Sequence, residues 1–82
     1  MDYEIELLDE VRKQLRTLPK DVRHAIGSKI NRLQNDLTGD VKKLKGFKKK
    51  FRLRVGDYRV LFELEGDRIV IYDVGDRKNI YE

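Results

Sequence analysis

The chain has 82 residues, 41% of them charged, with 19 Lys and Arg against 15 Asp and Glu, one histidine and no cysteine. That length holds one small domain, residues 1–82, whose thin core a partner would stabilise. The missing cysteines exclude disulfides, thiol catalysis and cysteine metal sites, and the lone His24 excludes a histidine-rich one.

Tyr3, Ile5 and Leu7 alternate with Glu4 and Glu6, the period of a half-buried strand. Asp9 suits the N-cap of a short helix carrying Val11, Leu15 and Leu18 on one face. Pro19 fits the first turn of a second helix. Its stripe is Val22, Ile26, Ile30, Leu33 and Leu37, at spacings of four, four, three and four, with Gly39 as the stop. Gly27 inside that helix costs about 1 kcal/mol relative to alanine, which predicts a close helix contact there. Residues 40–50 read as a basic connector. Three strands then follow in meander order, residues 51–55, 58–65 and 68–74, with Gly56-Asp57 and Gly66-Asp67 as tight turns. The tail, residues 76–82, is expected to close as a helical turn. This β-α-α-β-β-β order predicts a single α+β domain with a helix hairpin on one face of a mainly antiparallel sheet.

No apolar run approaches the roughly 18 to 20 residues that span a bilayer. Asp2, Glu4 and Glu6 interrupt the apolar residues where a signal peptide would lie, so a cytoplasmic protein is expected.

Charge is unevenly placed. Residues 42–59 hold nine Lys and Arg and one acid, Asp57, for a net +8, while the rest holds ten against fourteen, for −4. A basic surface set against an acidic remainder is the footprint of a nucleic-acid binder, or else a solvated lysine-rich loop that keeps the protein soluble. The strand arginines favour the first. A hairpin turning at Gly56-Asp57 pairs Val55 with Tyr58, Arg54 with Arg59 and Leu53 with Val60. Arg52, Arg54 and Arg59 then project from one side, and Phe51, Leu53, Val55, Tyr58, Val60 and Phe62 from the other. Arginines directly opposed in a ladder repel, so an anion is expected between them, and phosphate suits the guanidinium fork. Lys45, Lys48, Lys49 and Lys50 extend the same surface. The run from Lys45 to Phe51 lacks the small residue and following aromatic that an RNA-recognition module would need. His24 reads as a surface residue, and Tyr3, Tyr58 and Tyr72 as sheet packing. Tyr81, following Arg77 in a polar tail, reads as a base-stacking residue or as an anchor for the C-terminus.

Lys43-Leu44-Lys45-Gly46, the run from Phe51 to Val60 (FRLRVGDYRV) and the run from Val74 to Tyr81 (VGDRKNIY) together resemble the RelE/ParE toxin superfamily. The opening Tyr-Glu-Ile-Glu and the Leu-Pro-Lys-Asp-Val-Arg helix start fit as well, so the resemblance covers nearly the whole chain. It implies the RelE-like microbial ribonuclease fold and a toxin of a type II toxin–antitoxin system. RelE-like members cut messenger RNA in the ribosomal A site without metal or cofactor. The ribose 2′-hydroxyl attacks the adjacent phosphate, leaving a cyclic phosphate and a free 5′-hydroxyl. Carried over by position, Arg52 and Arg54 grip messenger and ribosomal RNA, Arg59 holds the scissile phosphate, Arg77 steadies the developing charge or helps the leaving group, and Tyr81 stacks on and orients the cut nucleotide. Asp76 stands where arginine-rich members have histidine as the base. It then acts as a weaker base, leaves that role to the ribosome, or marks an impaired toxin. The implied partners are an acidic, RelB-like antitoxin, the small subunit of the 70S ribosome, messenger RNA and ribosomal RNA. A ParE-like gyrase inhibitor, or a catalytically dead antitoxin- or RNA-binding member, is the alternative.

Overall fold

The structure, a computed structural model, describes residues 3–35, 37 and 40–76. Strand β1 (Glu4–Leu7) turns Ile5 and Leu7 toward the core and Glu4 and Glu6 toward solvent. In α1 (Asp9–Arg16) the N-cap is Leu8, held extended at ψ 153°, and Asp9 is already the first helical residue. Asp9 and Glu10 there meet the positive end of the helix dipole, and Lys13 and Arg16 the negative end, which takes the place of a cap side chain. Pro19 likewise caps α2 (Lys20–Leu33) and does not enter its first turn; its carbonyl accepts the Arg23 N–H at 3.0 Å. Ile26, Ile30 and Leu33 of the stripe are buried, and Leu37 packs on the core from beyond the end of the helix. The stop expected at Gly39 lies outside the described residues.

The sheet contains β1, β2 (Val41–Lys43), β3 (Lys50–Val55), β4 (Tyr58–Glu65) and β5 (Arg68–Asp76), in the order β1-β5-β4-β3-β2. Only β1 and β5 are parallel. The α+β class holds, with one strand more than expected: β2 forms within the segment that reads as a connector. Its lysines have little strand preference, but they suit a short edge strand that must not recruit another chain. At the other end, β5 continues to Asp76; the helical turn expected for the tail falls on residues 77–82, outside those described. Gly56 and Gly66 take φ 58° and 63°, and no described non-glycine residue has positive φ, so both hairpins turn with glycine in the first central position, type II′.

The core lies between the helices and one sheet face. Val11, Ile26, Ile30 and Leu33 meet Leu53, Val55, Val60, Phe62, Ile69, Ile71 and Val74. Phe51 and Phe62 stack across β3 and β4, with ring centroids 5.4 Å apart. The β4–β5 register shifts between Leu61 and Phe62, which leaves Tyr72 as the extra residue of a bulge. Gln14 of α1 repairs the ladder there. Its Oε1 accepts the Val74 N–H at 3.1 Å and its Nε2 donates to Asp73 at 2.9 Å. That clamp fixes α1 against β5 just before Gly75. On α2, Lys29 pairs with Asp40 at 2.9 Å, tying the helix to the start of β2. The hydrogen bond and charge of Lys29 lower the Asp40 pKa, so this link holds above the usual carboxylate range and is lost as pH falls through the lowered value.

Gly27 does not make the close contact expected of it: a Cβ built there meets nothing within 4 Å. Gly27→Ala is therefore expected to stabilise the isolated chain by about 1 kcal/mol. Gly66→Ala, at φ 63°, is expected to cost about 1–2 kcal/mol. Urea midpoints that moved in the same direction would contradict this pairing.

Candidate nucleic-acid interface

The sheet face away from the helices carries the basic residues in three cross-strand rows. Arg54, Arg59 and Gly75 form the first, and Lys42, Arg52, Leu61 and Asp73 the second. Lys50, Glu63 and Val70 form the third. Rows two residues apart stand about 7 Å from each other along a strand. The hairpin register is the one expected, with Arg54 directly opposite Arg59. A second like-charge pair, Lys42 opposite Arg52, appears only once β2 is recognised. Two opposed cation pairs in adjacent rows oppose folding unless anionic or dipolar groups offset them.

Part of that offset is internal. Arg59 is only 9% exposed, and its Nη1 donates to the carbonyls of Gly56 at 3.3 Å and Tyr58 at 3.1 Å. The turn carbonyls thus hold the guanidinium in one orientation. They occupy one nitrogen and leave the Nε and Nη2 edge, the geometry that takes a phosphate in two parallel bonds. Gly75, beside Arg59 in the ladder, puts no side chain over the sheet. Arg54 is exposed and Arg52 half-buried. Lys45, Lys48 and Lys49 lie exposed on the loop between β2 and β3, and Lys50 opens β3.

Asp76 pairs in register with Tyr58, not with Arg59. By strand alternation its Cβ starts on the sheet face opposite that of Arg54 and Arg59. Arg77 and Tyr81 lie outside the described residues. His24 is exposed on α2, beside Lys20 and Arg23 and apart from the arginine face. Tyr72 faces the basic side and packs on Leu44 and Leu61. Burial first, then the charges of Glu63 and Asp73, raise its pKa and keep its hydroxyl protonated. Lys42, Gly75 and the exposed Phe47 also belong to this face. Lys42 and Gly75 are visible only through strand register, whereas the position of Phe47 in a lysine run is the signal available in the sequence.

Among the described residues, no three His, Cys, Asp or Glu side chains gather where a metal ion would sit, and no helix is long and apolar enough to cross a membrane. A groove of about 410 Å³ on the other side of the molecule runs between α1, α2 and β1. Ile5, Leu7, Leu15 and Ile30 floor it, with Arg12, Arg23 and Gly27 along its walls.

A sequence profile of the family described as "ParE toxin of type II toxin-antitoxin system, parDE" matches residues 5–81. The protein named Toxin RelE3, from Methanocaldococcus jannaschii, is 40% identical over 75 residues, covering 85% of this chain and 85% of its own. The RelB–RelE antitoxin–toxin complex from Methanococcus jannaschii superposes with a TM-score of 0.77 at 34% identity, covering 89% of this chain and 91% of that one. The archaeal RelE–RelB complex from Pyrococcus horikoshii gives a TM-score of 0.83 at 27% identity, covering 98% of this chain and all (100%) of that one.

Proposed function

The chain belongs to the RelE/ParE superfamily of type II toxins, and from that premise we propose that it is a cytoplasmic, ribosome-dependent endoribonuclease that cuts messenger RNA in the A site. The observation that carries this reading is the ladder register that sets Arg54 opposite Arg59, with Arg52 one row away and bare backbone at Gly75 beside them. Cleavage by the ribose 2′-hydroxyl needs no protein nucleophile. It needs the scissile phosphate held in line and its developing charge met by fixed donors. Arg59, oriented by two carbonyls, holds the phosphate. Arg52 and Arg54 grip the flanking backbone and ribosomal RNA, with Lys45, Lys48, Lys49 and Lys50 extending the track. Arg77 meets charge on the leaving side, and Tyr81 stacks on the cut nucleotide.

The proton on the 2′-hydroxyl is the remaining demand. An arginine stays protonated and is a poor base. The register of Asp76 with Tyr58, one position beyond Arg59 and Gly75, favours the reading in which the ribosome supplies the base. Asp76→Asn is accordingly expected to leave cleavage within a few-fold of the parent, where loss of a working base would cost about 10²–10⁴-fold. Primer extension on translating ribosomes reads both this and the main proposal. A-site cuts by the parent chain support the nuclease, and their absence at saturating toxin counts against it.

The match to a ParE profile favours one second reading, a gyrase inhibitor on the same fold. Supercoiling inhibition without messenger cleavage would establish it.

The two archaeal structures are toxin–antitoxin complexes, and the same partner is proposed here: an antitoxin segment with an apolar, acid-flanked helix lying in the groove between α1, α2 and β1. Its apolar face meets Ile5, Leu7, Leu15 and Ile30, and its acids meet Arg12 and Arg23.

A further inference from the structure

We propose that Phe47 is a stacking platform for one unpaired RNA base, set at the end of the cationic track that runs along β3. The inference rests on the RNA-binding reading and adds to it a residue and a chemistry that the arginines do not supply. Phe47 is 46% exposed, in the middle of a run of lysines. The backbone presents it there by construction. Gly46 takes φ 87°, although a Cβ at that position would meet nothing, so glycine serves the conformation and not the space. The Phe47 N–H donates to the Leu44 carbonyl at 3.3 Å and the Leu44 N–H to the Lys50 carbonyl at 2.9 Å, closing the loop beneath the ring.

Lys50 supports the ring from below. Its Nζ lies 4.7 Å from the Phe47 centroid and 5.3 Å from that of Tyr72, so one cation is shared by two aromatic faces. Lys50 shares its strand face with Arg52 and Arg54, in steps of about 7 Å. A single strand laid along β3 would meet these three cations with its phosphates and reach Phe47 with a base. A cleft of about 310 Å³, lined by Phe47, Lys48, Lys49, Lys50 and Glu63, receives it. Glu63, the one acid there, pairs with Lys50 in the ladder. The flanking charge is otherwise positive, which fits a polyanion with exposed π faces and opposes an apolar or basic peptide.

The chain contains no tryptophan, so Phe47→Trp installs a single fluorescent reporter at the site. Titration with a short oligoadenylate is expected to quench it, while inorganic polyphosphate of matched phosphate number binds without quenching. Phe47→Ala is expected to weaken oligoadenylate binding by about tenfold, with Phe47→Tyr near the parent value and polyphosphate affinity unchanged in both. Bound oligoadenylate that leaves the indole emission of the Phe47→Trp variant unchanged overturns the platform, as does an equal loss of polyphosphate affinity in Phe47→Ala. Phe47→Ala that spares RNA binding and weakens the antitoxin complex also overturns it and reassigns the ring to a protein partner. In each case, continued A-site cleavage would leave the nuclease reading standing. Absence of any RNA binding by the parent, on or off the ribosome, removes both.

Discussion

Arg59→Ala is expected to reduce A-site cleavage by a factor of about 10²–10³ while the chain remains folded. Both halves follow from how the side chain is held. Arg59 is 9% exposed, and two turn carbonyls fix its guanidinium, so the donors it offers a phosphate are ordered before RNA arrives. A fixed donor aimed at developing charge loses most of its effect when replaced by water, which must reorient during the reaction. Stability changes little because the losses and gains offset. The carbonyls of Gly56 and Tyr58 lose a charged partner at a turn beside solvent, and packing of the arginine stem is lost. Against this, the Arg54–Arg59 repulsion across the ladder disappears. The net change is expected to lie within about 1 kcal/mol. Arg59→Lys separates charge from geometry: an ammonium restores the positive charge but not the two-pronged fork, so most of the lost cleavage stays lost. Primer extension rates on translating ribosomes, measured beside urea midpoints, decide the matter. Cleavage at the parent rate in folded Arg59→Ala would remove Arg59 from the site.

Much of this face is legible from local rules, because a two-residue hairpin leaves no freedom in register. Once Gly56-Asp57 is the turn, Arg54 must oppose Arg59, and Leu53 must oppose Val60. The helix stripe is legible for the same reason: its spacing alone assigns Ile26, Ile30 and Leu33 to the core. What escapes is non-local. Strand β2 is three residues long and two of them are lysine, so nothing in its sequence competes with a loop; only pairing with β3 makes it a strand, and with it Lys42 joins the arginine face. The side on which Asp76 falls depends on a bulge at Tyr72, and that bulge is stabilised by Gln14, which lies 59 residues from Asp73. No local pattern in residues 68–76 records it. Gly27 misleads for a related reason: a glycine within a helix signals close approach only if something approaches, and within the described residues nothing does.

Phe62→Ala, at the largest fully buried side chain among the described residues, is expected to cost about 3–5 kcal/mol. Phe62 is fully buried at the centre of β4, between strands on both sides, and stacks on Phe51 at 5.4 Å with planes 14° apart. The helices on that face are eight and fourteen residues long, and α1 is held on the sheet both by buried Val11, with Leu15 and Leu18 packed beside it, and by the Gln14 clamp on β5. Little backbone can therefore collapse into the cavity, which keeps the cost near the upper end of the range. A domain of this size has about 4–12 kcal/mol to lose in total. The isolated variant should therefore show a large fall in urea midpoint. The antitoxin changes the outcome in a calculable way. A ligand that binds only the folded chain adds RT ln(1 + [L]/Kd), about 4 kcal/mol at a thousandfold excess over Kd. Phe62→Ala should then be markedly more stable in the complex than alone, and its midpoint should climb with antitoxin concentration. A midpoint indifferent to antitoxin would mean that the partner does not bind the folded domain selectively, and the groove between α1, α2 and β1 would lose its assignment.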